Sequence, residues 1–176
     1  MMQVRGTGSI RSILATLLVS VAVGTAVRAQ SPGGGSGSDQ YAKWDPKTNT
    51  ATLELIVGPF KFDDASGGAA GFTVPGNAKV IIHFVNKDGT PHSAEVISGD
   101  GPVPNAAVDP AFPKAYTNKL QEGLPQEASD DITFTAPASG KYRIFCGVPG
   151  HGLSGMWIWL TVDPKAKTAS FGPTKS

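Results

Sequence analysis

The sequence predicts an all-β fold, a single Greek-key β-sandwich or barrel with a long insertion at about residues 99–126. Three observations carry this. Apolar residues recur with a period of two in segment after segment. Glycine, proline and asparagine punctuate those segments, and no stretch holds a helical period for long. With 22 glycines and 14 prolines among 176 residues, 16% charged and 40% hydrophobic, the composition is that of a turn-rich, strand-rich domain.

Taken in order, residues 1–29 read as a signal peptide, or as an N-terminal anchor if they are retained. Arg5 and Arg11 precede an apolar stretch from Ile13 to Val27, and Val27-Arg28-Ala29 offers small or compact residues for cleavage. The apolar stretch is short for a span of roughly 20 residues. No cysteine follows it, which excludes a lipoprotein anchor. Residues 30–40 form a Gly/Ser linker with nothing to pack. A domain is expected over 41–165, and 166–176 reads as a loose polar tail.

Within the domain, Thr50–Val57 alternates around Leu53 and Leu55 and stops at Gly58-Pro59. Lys79–Asn86 is β-branched and ends in the turn Asn86-Lys-Asp-Gly89. Ser93–Ser98, Asp131–Ala136, Lys141–Cys146 and Met156–Val162 supply four more strands. The insertion is expected to hold a short helix, because Asp109 offers a cap and Pro110 suits the first turn. Trp157 and Trp159 share the outward face of the last strand. Something should cover them, and the insertion or the N-terminal segment is the expected cover.

Charge excludes one class of partner. Three of the 15 Lys and Arg lie in the leader, leaving 12 against 14 acidic residues, a net of −2. No basic cluster for nucleic acid remains. Acidic pairs such as Asp63-Asp64 and Asp130-Asp131 read as solvated turns.

The chemistry is concentrated in Phe145-Cys-Gly-Val-Pro-Gly-His-Gly-Leu-Ser-Gly-Met156, which holds the only cysteine. A thiolate, an imidazole and a thioether at Cys-x4-His-x4-Met, with a second histidine at His92, form a set suited to copper in both oxidation states. Singly, each has a plainer reading: Cys146 and Met156 as core, His151 as a loop residue, His92 as any strand-end histidine. Strand, Cys, Gly/Pro loop, His, Gly loop, Met and strand in succession favour one copper ion over four coincidences. A lone thiol kept in an exported protein also calls for a task, since oxidants attack it. His83 lies mid-strand and is expected to be structural or surface-exposed. Backbone N–H groups of Ser93 and Val148 are expected to donate to the thiolate, and His151 to show an edge ringed by Gly147, Pro149, Gly152 and Leu153.

One upstream His followed by Cys-x4-His-x4-Met between the last two strands resembles the cupredoxins, the small blue-copper proteins. The ligand run and Asn86-Lys-Asp-Gly-Thr-Pro-His-Ser93 are most similar to the sulfocyanin branch. The long insertion fits that branch too. The resemblance covers about residues 50 to 163. It implies His92, Cys146 and His151 as equatorial ligands, Met156 as the axial one, and a one-electron carrier in a respiratory chain rather than an enzyme. Redox proteins, such as a cytochrome or a terminal oxidase, are the partners it implies. The chain is expected to be a monomer, exported to the periplasm or beyond, touching a membrane only through a retained leader. Its leader looks cleavable where that of archaeal sulfocyanins resembles a retained anchor. The alternative function is a copper centre that binds or reduces a small molecule such as nitric oxide. An occupied axial position argues against it. A metal-free adhesion module would leave the exported cysteine unexplained.

Overall fold

In the computed structural model, residues 40–174 and Gln3 are described; the rest of the leader at 1–29 and residues 30–39 of the linker fall outside them. Ten strands follow in order: β1 (Ala42–Asp45), β2 (Thr50–Gly58), β3 (Lys61–Phe62), β4 (Ala70–Pro75), β5 (Lys79–Asn86), β6 (Glu95–Ser98), β7 (Ser129–Thr135), β8 (Gly140–Phe145), β9 (Trp157–Asp163) and β10 (Ser170–Pro173). One sheet runs β1-β2-β5-β7 with β3 also on β2, and the other β10-β4-β9-β8-β6. The β2–β5 and β4–β9 pairs are parallel and the rest antiparallel. The fold is an all-β sandwich.

Period-two alternation builds the core between the sheets. Leu53, Leu55 and Val57 of β2, Val80, Ile82 and Phe84 of β5, and Ile158 and Leu160 of β9 are fully buried, while the residues between them face outward. Each such side chain stabilises the fold by about 1.5–3 kcal/mol relative to exposure. Because β2 and β5 run parallel in register from Thr50↔Lys79 to Val57↔Asn86, both end on the same side. The β2–β3 turn and the β5–β6 connection therefore emerge together.

Two expectations are corrected. Among the described residues there is no helix, so the short helix expected near Asp109 is absent. Pro113 removes a donor and blocks helical continuation, and Lys114 and Lys119 take φ of 60° and 54°. The insertion instead lies along the free edge of β6, with Ala111 N–H donating to Val96 O, Val96 N–H to Ala115 O, and Thr117 N–H to Ala94 O. Its backbone groups thus find partners without a helix, and β6 loses its exposed edge. The second correction concerns 166–176, expected to be loose. Ser170–Pro173 forms β10 on β4, held by Phe171 against Phe72 and Tyr41 at ring separations of 4.9 and 5.1 Å.

The Trp pair is covered by its own sheet. Lys141 Nζ lies 3.8 Å over the Trp159 ring, and the Arg143 guanidinium is 5.2 and 5.3 Å from Trp157 and Trp159. Gly68 leaves room for both indoles, and Gly71 lets β4 approach the Trp159 backbone and Cβ closely. The insertion helps only indirectly, through the Asp100 and Gly101 carbonyls that accept from Arg143.

Candidate metal centre

His92 stands in the β5–β6 connection, and its backbone is clamped from both sides. Its N–H donates to Leu124 O at 3.1 Å, and Leu124 N–H donates back at 2.7 Å. The insertion thus holds this residue directly. Gly123 makes the approach possible: its φ is +77°, and a Cβ there would lie 2.8 Å from His92 N, a contact only glycine avoids.

The ring is fixed from behind. Nε2 lies 2.8 Å from Asp88 Oδ2. Nε2–H donating to that carboxylate leaves the Nδ1 lone pair free on the other side. The histidine holds the Asp88 carboxyl below its usual range. Asp88 is itself set by buried Asn86, whose Oδ1 accepts from Asp88 N–H and whose Nδ2 donates to Thr90 O and Leu124 O.

Cys146 follows the last residue of β8, and its N–H donates to Met156 O at 3.1 Å. Met156 N–H donates to His151 O, and His151 N–H to Val148 O, both at 3.1 Å. The eleven-residue loop from Cys146 to Met156 is therefore folded onto itself. The insertion braces it again, with Gly150 N–H donating to Asn105 O and Ala107 N–H to Gly147 O.

The two expected donors reach the sulfur. Ser93 N–H lies 3.4 Å from Cys146 Sγ, and Val148 N–H also donates to it. Burial pushes the thiol pKa up, and these bonds, with the Ser93 side chain, oppose that shift. Ser93 Oγ accepts from Gly147 N–H and donates to Leu120 O, which pins Ser93 in place.

The structure brings His92, Cys146 and His151 together as a candidate metal-binding cluster. The two Nδ1 atoms are 3.1 Å apart, and Cys146 Sγ lies 3.5 Å from His151 Nδ1 and 4.0 Å from His92 Nδ1. Donors bound at about 2.0–2.3 Å to one shared ion have separations of this size. His92 and Cys146 are fully buried. Burial, then the neighbouring His92, lower the pKa of His151 against the opposing pull of Asp88, which favours the neutral imidazole a metal needs. The donor set and its spacing fit a soft or borderline ion such as copper.

Met156 is fully buried at the entry to β9, tied by its backbone to both Cys146 and His151. His83 stands apart from the cluster, on β5 with its Nδ1 2.6 Å from Asp131 Oδ1. Around His151, Pro149 and Leu153 are exposed as expected, but Gly147 and Gly152 are buried; they pack against Ala107 and Phe145. Instead Phe60 joins the rim, its ring centroid 4.8 Å from that of His151 and 5.9 Å from that of His92.

Sequence reasoning missed Asp88, Asn86, Leu124 and Phe60. An Asp four residues before a ligand-type His, inside a turn, was the available signal for Asp88. Nothing local marks Leu124, whose part depends on a contact across the insertion. Two buried acids lie outside the cluster. Burial pushes Asp63 and Glu95 each up to about 7.

The family model of the sulfocyanin (SoxE) domain matches residues 38–171. The chain is 26% identical over 114 residues to sulfocyanin of Sulfolobus acidocaldarius, a match covering 61% of this chain and 57% of that protein. It is 29% identical over 154 residues to auracyanin-B of Chloroflexus aurantiacus, covering 77% of this chain and 59% of that protein. The matches thus span less than two thirds of these curated relatives. A crystal structure of dithionite-reduced auracyanin from Roseiflexus castenholzii superposes with a TM-score of 0.51 at 28% identity, covering 64% of this chain and 97% of that one. With the fold, the cluster and the family model in agreement over the same residues, the chain belongs to the sulfocyanin family of cupredoxin-type proteins.

Proposed function

We propose that this protein is a blue-copper electron carrier working outside the cytoplasm, whose ion would be held by His92, Cys146 and His151, with Met156 as a weaker thioether donor. The observation that carries the reading is the convergence of two imidazole Nδ1 atoms and one thiol within 3.1 to 4.0 Å. Copper held there would supply a one-electron couple.

The rest of the work belongs to the chain. Asp88 fixes the tautomer and angle of His92, and the backbone bonds from Ser93 and Val148 offset negative charge on the sulfur. The insertion and the loop's own hydrogen bonds hold the ligands in place, so a change of oxidation state meets a rigid cage. Met156, buried at the entry to β9, would add a weak thioether to a bound ion, which would disfavour binding a small molecule such as nitric oxide. Pro149 and Leu153 give the partly exposed His151 an uncharged approach, so a redox partner such as a cytochrome or terminal oxidase docks without stripping water from charges. Brief docking over a small interface suits a carrier that must leave after each transfer.

Loading with one equivalent of copper and titrating with ascorbate, then ferricyanide, tests this. The expected result is one electron per chain in each direction, with the visible band bleaching and returning in full. Copper that does not cycle, or that consumes nitric oxide catalytically, would overturn the carrier reading.

A further inference from the structure

The β2–β3 connection is a two-residue turn, Pro59-Phe60, between the Gly58↔Lys61 pair. Proline suits the first of these positions, and a left-handed second position favours glycine or asparagine. The chain places phenylalanine there instead, at φ 52°. A bulky residue at positive φ is an outlier, and such strain persists where the surroundings impose it. What that backbone achieves is visible in the ring. Phe60 meets both imidazoles edge-on, with interplanar angles of 82° to His92 and 66° to His151. It remains 40% exposed while His92 and Cys146 are fully buried.

We propose that Phe60 is a shield for the cluster: a strained turn holds its ring across the solvent route to Cys146 past the two histidines. A side chain recruited only for packing would be expected at a position where the backbone is relaxed. Glycine at 60 would relieve the turn, so the loss of the ring and the loss of stability can be separated. The role deepens the proposed function, because an ion in this cluster is guarded from water, chelators and external ligands by the same ring.

The test uses the full-length, metal-free protein and iodoacetamide, with alkylation of Cys146 followed by mass spectrometry and thermal midpoints measured alongside. Phe60→Gly should be alkylated at least tenfold faster than the parent, with a midpoint unchanged or higher. Phe60→Leu, which keeps a side chain, should be intermediate. Val80→Ala, a core change at the other end of β5, shows how much alkylation rises from lost stability alone. An unchanged rate in Phe60→Gly overturns the shield. So does a faster rate matched by a midpoint drop on the Val80→Ala trend, since Phe60 would then be a packing residue. No copper enters the measurement, so its failure is distinct from failure of the carrier reading. Faster alkylation in a protein that takes up no copper would sink the latter alone.

Discussion

Asp63 lies just beyond the turn that carries Phe60 and closes that hairpin onto β2. Its Oδ1 accepts from Ile56 N–H at 2.8 Å, and its own N–H donates to Ile56 O at 2.8 Å. The other carboxylate oxygen is buried with no partner, and burial raises the pKa to about 7. Between the unfolded pKa near 4 and the folded value near 7, the native state binds the extra proton. Stability is therefore fully present below pH 4 and declines as pH rises through this window. Asp63→Asn should match the parent at pH 4 and exceed it at pH 8, by at most about 4 kcal/mol for a shift of this size. Urea unfolding of the metal-free protein at both pH values measures it; a parent as stable at pH 8 as at pH 4, with no gain from the substitution, would contradict the buried neutral acid. Glu95, also raised to about 7 by burial, adds a slope that the substitution leaves in place. Neither acid was legible in the sequence. Asp63-Asp64 looks like an ordinary solvated turn until the fold buries one member of the pair.

At the scale of elements, the insertion is the part whose role the sequence least foretold. Its Asp and Pro residues resemble the opening of a helix, yet its backbone bonds go sideways to β6 and to His92. Local signals cannot show this, because the competing partner, the open edge of β6, is created only when the sheet forms. The clamp predicts a measurable effect. Gly123→Ala forces a methyl group against His92 N and places alanine at φ +77°, which costs roughly 1–2 kcal/mol. Copper affinity, measured by competition with a chelator, should fall about tenfold or more, equivalent to about 1.4 kcal/mol, while far-UV circular dichroism stays that of the parent. Unchanged affinity would mean the insertion packs beside the site without positioning His92. The loop between β8 and β9 behaves in the opposite way: Cys146 and His151 lie on one short segment between strands and meet in the cluster, so spacing alone pointed to both.

Across the whole molecule, the six strands read from period-two alternation are all present, because each contributes several residues to the shared core. The four that escaped, β1, β3, β4 and β10, are short or interrupted. Gly71 and Pro75 break the pattern of β4, and Gly172 and Pro173 that of β10. Two parallel pairings, β2 with β5 and β4 with β9, join segments distant in sequence, which no local pattern reveals. Those pairings nevertheless matter to the site, since the first carries the Phe60 turn and the His92 connection to the same end of the sandwich. Sequence marked the cluster residues; the sandwich supplied Asp88, Leu124 and Phe60 around them. If these residues together bind copper through a thiolate, titrating Cu(II) into the purified protein while recording visible absorption and electron paramagnetic resonance will show it. An intense thiolate-to-copper band is expected, saturating at one equivalent, with a narrow copper hyperfine splitting, both lost in Cys146→Ser. A colourless adduct with ordinary wide splitting, or no uptake under oxidising conditions, would contradict binding through the thiolate.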